Sequence, residues 1–326
     1  ALVIGEDNFA LSIIVAIEPE TLMVPLEDVL EASGTEFIHF GQIIARLEEQ
    51  DREIEKIVSS PDGRWLASVS KDRRAIVWDL SQPDPFGGPA HNFDQHPFGI
   101  WDVEISPDSN LMVTAGIGGY AYLWHLAEEN PEDTVVTLLA NQETFRVGDL
   151  LDAEFSADGA WMAISGDDTD VYLWGLKTDL QRNAPTYIMP HDTARVSSIR
   201  FSPDGHWLAA AKQEGVVLLW DLTQESVNTS LILENDNESP VHLEFSPDGR
   251  WLAVGGALGR INLWDTSQSP PEKAYGLVEH QRGILDLAFS PDNRWLASGS
   301  TDGLIWDLTS LPPEPVEICS NSADSL

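Results

Sequence analysis

Large apolar residues recur along most of this chain in copies that are 42 to 50 residues apart. Each copy has a short apolar run, a turn, a second run that begins with a large side chain, a second turn, and a third run that ends in tryptophan. The runs are short and rich in β-branched or aromatic residues, which indicates antiparallel strands. The tryptophans that end the third runs, called the anchor tryptophans, are Trp78, Trp124, Trp174, Trp220, Trp264 and Trp306.

A Ser-Pro-Asp-Gly turn, or a close variant, separates the first two runs of each copy. Proline presets φ, aspartate can bond its own backbone, and glycine accepts a positive φ. A fourth apolar run follows the anchor tryptophan, so each copy predicts a four-stranded antiparallel sheet. In the fourth copy the predicted strands are residues 196–201, 207–211, 216–220 and 230–233, and other fourth strands are predicted at 134–139, 186–189, 275–278 and 316–319.

One such sheet cannot bury both of its faces, whereas sheets packed face to face around an axis can. The repeat therefore predicts an all-β propeller of six visible four-stranded blades over residues 54–326. The sixth copy is two residues shorter, and an even deletion keeps every side chain on its own face. We expect Asp302-Gly303 to form a two-residue hairpin turn there. The chain stops where another copy would begin, so a seventh blade is expected beyond Leu326.

The third runs IVWDL (76–80), LLWDL (218–222), NLWDT (262–266) and LIWDL (304–308) resemble the closing strand of WD repeats. This resemblance covers residues 54–319. In that family a loop histidine, a turn aspartate, a strand serine or threonine, and the anchor tryptophan form a hydrogen-bonded tetrad. The sixth copy alone has a full set, with Ser298 as the hydroxyl, so most blades are expected to rely on packing. Besides the anchor tryptophans, the positions that the resemblance assigns to the tetrad are Asp72, Asp168, Asp302, His96, His191 and His280.

Residues 1–53 lack the repeat. Their pattern predicts a small α/β unit with strands at 1–5, 21–24 and 36–40, helices at 8–17, 25–32 and 41–52, and a parallel sheet. Segments 1–17 and 30–47 resemble the second half of a regulator-of-potassium-conductance domain, a Rossmann-like lobe. The nucleotide loop of that family belongs to its first half, so no nucleotide-binding residue is implied. Segments 11–20 and 26–33 alternatively resemble the helical linker before the propeller of STAND signalling ATPases.

The charge composition limits the classes of partner that the chain can bind. The chain has 54 acidic and 18 basic residues and a net charge of −36. Nucleic-acid binding needs clustered cations, so we predict no nucleic-acid partner, and direct contact with anionic membranes is disfavoured for the same reason. No stretch is apolar enough to span a bilayer, and no signal peptide is visible. The single Cys319 fits a reducing compartment, and together these features predict a cytoplasmic location.

The motifs that could carry chemistry have structural explanations. Gly116, Gly118 and Ala121 spell G-x-G-x-x-A, but they fall between two strands rather than between a strand and a helix. The aspartates at 167, 168 and 170 match no calcium loop. No G-x-S-x-G nucleophile elbow is present, and a unique active site would break the repeat at one blade. We therefore predict no enzyme activity, no cofactor and no metal.

Propellers present their loops at a rim, where some residues here depart from the repeat. The residues predicted to contact a partner at this rim are Arg73, Arg74, Phe98, Trp101, Arg195 and Arg282. Several arginines on one rim of an acidic protein suit an acidic or aromatic partner, although for any single one an ordinary surface residue is the favoured explanation.

The pattern as a whole predicts a non-catalytic interaction or sensor module of a larger protein. The Ser-Pro-Asp-Gly-Arg-Trp-Leu-Ala copies resemble bacterial WD repeats, so that protein is expected to be bacterial. The resemblances of residues 1–53 imply the cytoplasmic regulatory region of a potassium channel or transporter, or alternatively the sensor propeller of a STAND ATPase. The expected partner is another protein or the rest of the same polypeptide, with a homo-oligomer through a preceding N-terminal region as a further option. A propeller hydrolase or lyase would need a catalytic cluster near the central channel.

Overall fold

The structure is a computed structural model. It describes residues 2–3, 12–13, 50–84, 88–128, 130–138, 148–167, 169–176, 185–189, 195–224, 227, 230–236, 238–310 and 312–317. Its regular elements are β-strands and one short 3-10 helix at Pro131–Thr134. Two short strands, β1 (Leu2–Val3) and β2 (Ser12–Ile13), pair with each other, and the other strands form six antiparallel sheets of four, in chain order within each sheet.

The first three sheets cover the first half of the repeat region. The first sheet contains β3 (Ile54–Ser59), β4 (Trp65–Ser70), β5 (Ala75–Asp79) and β6 (His91–Phe93). The second sheet contains β7 (Ile100–Ile105), β8 (Leu111–Gly116), β9 (Ala121–His125) and β10 (Val136–Leu138). The third sheet contains β11 (Leu150–Phe155), β12 (Trp161–Gly166), β13 (Val171–Gly175) and β14 (Tyr187–Met189).

The last three sheets repeat the same arrangement. The fourth sheet contains β15 (Val196–Phe201), β16 (Trp207–Lys212), β17 (Val216–Asp221) and β18 (Ser230–Glu234). The fifth sheet contains β19 (Pro240–Phe245), β20 (Trp251–Gly256), β21 (Ile261–Asp265) and β22 (Glu272–Leu277). The sixth sheet contains β23 (Asp286–Phe289), β24 (Trp295–Gly299), β25 (Gly303–Asp307) and β26 (Glu314–Glu317).

Consecutive sheets pack face to face, and the anchor tryptophans of the second to sixth sheets lie between them, whereas Trp78 packs within the first sheet. In the first interface, Trp65, Ala67 and Val77 of the first sheet share a cluster with Met112 and Trp124 of the second. The remaining interfaces repeat this pairing of one sheet with the anchor face of the next. All six anchor side chains are between 0% and 8% exposed. The predicted all-β propeller of six four-stranded blades is therefore confirmed.

The outward face of the sixth sheet differs from the equivalent faces of the others. Ala67, Ala209 and Ala253 are fully buried by the next sheet, whereas the equivalent Ala297 is exposed. Within the described part of the chain, the first strands of consecutive sheets pack side by side, but those of the sixth and first sheets do not. The seventh blade stays a prediction.

The Ser-Pro-Asp-Gly turn is held by its own serine. In the fifth sheet the Ser246 hydroxyl donates to Asp248 Oδ1 at 2.6 Å, and the Trp251 N–H donates to Ser246 Oγ at 2.9 Å. Gly249 has a φ of +70°, which favours glycine. The turn thus places the first residue of the second strand, and the sequence motif has a local cause.

The arginine and the last aspartate of the motif also meet. The Arg250 guanidinium stacks over Trp251 at 4.6 Å and pairs with Asp265 at 3.4 Å. Arg64 and Arg294 repeat both contacts in their own sheets. The Arg-Trp and Trp-Asp dipeptides therefore join the start of the second strand to the end of the third strand. This contact lies at the end of the sheet that carries the Ser-Pro-Asp-Gly turn.

The hairpin of the sixth sheet corrects one prediction. Gly299 pairs with Gly303, so the loop is residues 300–302 and not a two-residue Asp302-Gly303 turn. The fourth sheet also has three loop residues, between Lys212 and Val216. Relative to the fourth sheet, the two-residue deletion removes one residue from each strand and leaves the loop length unchanged, so each side chain keeps its face.

Four further predictions need correction. Ser12–Ile13 is a strand antiparallel to Leu2–Val3, so the helix predicted over 8–17 is wrong at these residues, where a run of β-branched side chains favours a strand. The fourth strand predicted from residue 134 starts at Val136, because Pro131 begins a 3-10 turn. The last strand is Glu314–Glu317, two residues earlier than predicted. The helix predicted over 41–52 is wrong at residues 50–52, which are described and not helical, while the strand predicted at 1–5 is present at Leu2–Val3. The other predicted elements of residues 1–49 lie outside the described residues, and the division at residue 53 stays a prediction.

Candidate interaction rim

The end of the propeller where the first strands begin is called the entry rim, and the opposite end, with the Ser-Pro-Asp-Gly turns, is called the turn rim. The entry rim is formed by the loops between second and third strands and by the loops that lead into each first strand. These loops touch: Lys71 N–H donates to Glu53 C=O, and Asp167 N–H donates to Asp149 C=O. All six residues predicted to contact a partner lie at this rim.

A complete tetrad supports the entry rim at the sixth sheet. The two ring nitrogens of His280 lie 2.6 Å from Asp302 Oδ1 and 2.6 Å from Ser298 Oγ. The Trp306 indole N–H donates to the same hydroxyl at 2.9 Å. The structure therefore brings these four residues together, and they fix the loop before the sixth sheet to the loop that carries Asp302.

Two other sheets have partial versions. In the second sheet His96 Nε2 lies 2.8 Å from Thr114 Oγ1, which also accepts from the Trp124 indole at 3.0 Å. In the first sheet Gln50 takes the place of the histidine, and the Ser68 hydroxyl donates to Gln50 Oε1 at 3.0 Å. The sequence analysis missed Gln50. Its signal was spacing, because the same step of 18 residues separates the partners in all three sheets.

The remaining sheets rely on packing. Ile164, Ala210 and Val254 stand where the hydroxyl would be, two residues after the partner of the anchor tryptophan. Among the described residues, the indole N–H groups of Trp174 and Trp264 have no hydrogen-bond partner.

The other predicted tetrad positions give a mixed result. Asp72 accepts from the Asp51 N–H and from the Arg74 guanidinium. It therefore orders its own loop, and Arg74 is committed to this carboxylate. Asp168 and His191 lie outside the described residues, so their assignments stay predictions.

We expect His96→Gln to reduce the acid sensitivity of the fold. Burial lowers the pKa of His96 to about 3, below the ordinary value of about 6.5. Between these pH values the unfolded chain binds the proton better, so stability falls as the pH falls. Glutamine keeps a partner for Thr114, as Gln50 does for Ser68. From pH 7 to pH 5, urea unfolding should show the variant losing about 2 kcal/mol less stability than the parent. Equal losses would contradict this assignment.

Charged side chains from the first strands form a second feature, called the inner belt. In the first two sheets Lys56 Nζ lies 2.6 Å from Asp102 Oδ1 and 3.4 Å from Glu104 Oε2. Asp102 also accepts the Ala153 N–H of the third sheet at 2.7 Å. Burial raises the pKa of Asp102 and Glu104, and the nearby Lys56 charge opposes this shift.

Arg200 is the second cation of the inner belt. Its guanidinium lies 3.1 Å from Asp152 and 3.7 Å from Glu244. Burial raises the pKa of Glu154 well above its usual range, against the Arg200 charge, while Glu154 accepts the Phe201 N–H at 2.8 Å. The belt ties sheets together, and the sequence analysis missed it although polar residues alternate along the first strands.

The remaining predicted rim residues have different environments. Arg195 pairs with Asp167 at 2.9 Å. Trp101 lies beneath Lys71, whose Nζ is 5.2 Å from the ring. Phe98 is 50% exposed, with its ring 6.2 Å from Tyr120. Arg73 and Arg282 have no ion pair within the described residues.

Exposed large apolar side chains are unevenly distributed. Among the described residues, five lie at the entry rim, three lie on outermost strands, and the turn rim has none. Those at the entry rim are Phe98, Tyr120, Leu258, Val278 and Leu285, and those on outermost strands are Ile188, Leu231 and Ile232. The turn rim instead carries carboxylates, and the Ser60 and Ser290 hydroxyls hold the pKa of Asp62 and Asp292 below the usual range.

Two searches of the described residues gave negative results. No three histidine, cysteine or acidic side chains are grouped so that they could hold a metal ion. Within the same residues, the structure contains no helix with the length and apolar character needed to cross a membrane.

The fold and the tetrads define a repeat protein built from WD-type sheets. The family model described as WD domain, G-beta repeat matches residues 41–79, 87–125, 183–221, 230–265 and 272–307. These matches cover more than half of the chain, which therefore belongs to the WD-repeat family. The first three strands of the third sheet have no match, and this sheet departs from the motif in having Gly175 after its anchor tryptophan.

Curated relatives share parts of the chain. Protein HIR1 of Candida albicans is 35% identical over 78 residues, which is 20% of this chain and 9% of that protein. An LST8 homolog of Drosophila pseudoobscura pseudoobscura is 32% identical over 84 residues, or 24% of this chain and 27% of that protein. Eukaryotic translation initiation factor 3 subunit I of Drosophila willistoni is 24% identical over 161 residues, or 47% and 46%. The chain thus matches less than half of each relative, and all three are eukaryotic.

Proposed function

We propose that this chain is a non-catalytic protein-interaction module that binds its partner through the entry rim. The observation that carries the proposal is the distribution of exposed apolar side chains, which favours the entry rim over the turn rim. Exposed apolar clusters mark interaction sites, and the Phe98 and Tyr120 rings, 6.2 Å apart, form such a pair at this rim. The membership of the WD-repeat family supports a scaffold role in general terms.

The narrower predictions stay predictions. The potassium-channel and STAND resemblances depend on residues 1–53, most of which lie outside the described residues. The bacterial origin receives no support from the relatives, which are yeast and fly proteins. A cytoplasmic location and a homo-oligomer also remain untested.

The rim proposal can be tested by comparing two double variants of the tagged chain. Phe98→Ser with Tyr120→Ser changes the entry rim, and Ile188→Ser with Ile232→Ser changes outermost strands to a similar extent. The parent chain and both variants would be used to capture proteins from extracts of the source organism, and the captured proteins would be measured by quantitative mass spectrometry. We expect the first variant to lose most of the proteins that the parent chain captures. The second variant should retain them. Retention by the entry-rim variant, with its melting temperature unchanged, would refute the proposal.

A further inference from the structure

A cavity of about 580 Å³ opens at the entry rim between the fifth and sixth sheets. Its walls are mainly apolar and include Val241, Ala257, Ile284 and Leu285. None of the described residues that line it is acidic, although the chain has 54 acidic residues. The lining itself is therefore non-acidic, although Asp286 directly follows Leu285 and lies against His242.

One small residue contributes to this cavity, together with the open face of the sixth sheet. Ala257 stands seven residues before the anchor tryptophan of its sheet, and Lys71 has the same place in the first sheet. Lys71 covers Trp101 of the next sheet, with its Nζ 5.2 Å from the ring. Ala257 is too short to cover the equivalent Leu285, which is left 70% exposed.

The wall of the cavity is held in place from both sides. The Ser300 hydroxyl lies 3.0 Å from the carbonyl oxygens of both Arg282 and Gly283 and can donate to either. The Ile284 N–H donates to the Gly256 C=O at 3.0 Å. His280, the histidine of the complete tetrad, lies directly before this loop in the chain. A preorganised wall lowers the entropy cost of binding.

One charged group at the cavity has no partner among the described residues. Arg282 makes no ion pair, whereas Arg64, Arg195, Arg250 and Arg294 each pair with an aspartate. His242, by contrast, has its Nε2 atom 3.7 Å from Asp286 Oδ1. Burial lowers the pKa of His242, and the Asp286 charge opposes this shift.

We propose that this cavity binds an apolar side chain flanked by a carboxylate, within a segment of the partner protein. The apolar group fills the space between Val241, Ala257 and Leu285, and the carboxylate binds the Arg282 guanidinium. The carboxylate is either a chain terminus or the side chain of a neighbouring acidic residue. This inference rests on the protein-interaction function proposed above, and it adds the chemistry that the partner presents.

Small probes test the chemistry directly. The methyl NMR signals of Ile284 and Leu285 would be followed during titration of the full chain with N-acetyl-leucine, N-acetylleucinamide and acetate. Titrations in 0.15 M NaCl limit long-range repulsion, since the screening length is then about 8 Å. We expect N-acetyl-leucine to bind about tenfold more tightly than the amide, as one charge-assisted hydrogen bond would give. Acetate should cause no saturable shift of these signals.

A second titration distinguishes the two sources of the carboxylate. N-acetyl-Leu-Asp-amide carries only a side-chain carboxylate, and N-acetyl-leucine carries only a terminal one. Tighter binding of the first indicates an internal acidic residue in the partner, and tighter binding of the second indicates a chain terminus. Either result supports the shared chemistry, whereas failure of both overturns it.

Substitutions at Ala257 and Arg282 test whether the probes bind in this cavity. Ala257→Lys should fill the cavity as Lys71 covers Trp101, and it should abolish the shifts. Ile117→Lys places the same side chain at the equivalent position of the second sheet, away from the cavity, and should leave binding unchanged. Arg282→Gln should remove the tenfold preference for the carboxylate and leave the weak binding of the amide. Equal binding of acid and amide by the parent chain, or full binding by Ala257→Lys, would overturn the proposal.

The result is separable from the proposed function. If the probes fail but the entry-rim variant still loses its captured proteins, the interaction function stands and the cavity is not its recognition site. If the probes bind as expected but both the entry-rim variant and Ala257→Lys keep their captured proteins, the cavity binds this chemistry and the rim proposal fails.

Discussion

Arg200→Met should lower the free energy of unfolding by about 3–5 kcal/mol at pH 7, the cost of leaving buried charges without their partner. Arg200 lies between Asp152 and Glu244. Burial acts to lower the pKa of Arg200, but the charges of Asp152, Glu154 and Glu244 outweigh this effect and raise the pKa. Methionine keeps the length of the side chain but not the charge. Urea unfolding followed by tryptophan fluorescence measures the loss.

The pH dependence of this stability loss tests whether it comes from the lost charge of Arg200. Without Arg200, the pKa of Glu154 should rise further, because the charge that opposes the effect of burial is gone. An acid with a raised folded pKa favours the folded state as the pH falls, so the loss should shrink between pH 7 and pH 5. Arg195→Met in the same sheet breaks an exposed pair with Asp167 and should cost at most about 1 kcal/mol. Similar losses for both arginines would show that the inner belt adds nothing.

Trp124→Ala should be comparably destabilising, at about 3–5 kcal/mol, because a large side chain is removed from a closed interface. Trp124 is 0% exposed, and its ring lies 4.2 Å from Phe93 of the first sheet. The cavity would open between two sheets, which lowers the cooperativity of the repeat as well as its stability. Calorimetry should show a lower and broader transition.

A pair of phenylalanine variants separates packing from hydrogen bonding. Trp124→Phe removes the donor to Thr114, while Trp174→Phe removes an indole N–H that has no partner among the described residues. Trp124→Phe should therefore cost about 1 kcal/mol more than Trp174→Phe. If Trp174→Phe costs as much or more, the tetrad fragment of the second sheet contributes no stability of its own.

Sequence reasoning succeeded where the cause is local. The turn serines, the glycines with positive φ and the apolar runs act within about ten residues of each other, and they predicted the sheets of the repeat. It failed at the hairpin of the sixth sheet, because strand register there depends on pairing and not on the Asp302-Gly303 dipeptide. It also missed Gln50, because an amide in place of histidine leaves no family motif.

The arginines of the entry rim show the same difference between what the sequence predicts and what the structure adds. The spacing identified Arg73, Arg74 and Arg195 as departures from the repeat, but it treated all of them alike. The structure shows that Arg74 and Arg195 are engaged by aspartates, which changes their value as partner contacts. A sequence does not reveal which carboxylate a long, flexible arginine side chain will contact in the folded protein.

The repeat, its strand count, its turns and the tryptophan interfaces were determined by the sequence alone, because they depend on residues close in the chain and on a period repeated six times. Only the tertiary structure decided that Arg200 meets Asp152, 48 residues away, and that Ala257 leaves Leu285 uncovered. Such contacts join side chains from different sheets. Their distances are fixed by how the sheets pack around the axis, which no local pattern encodes.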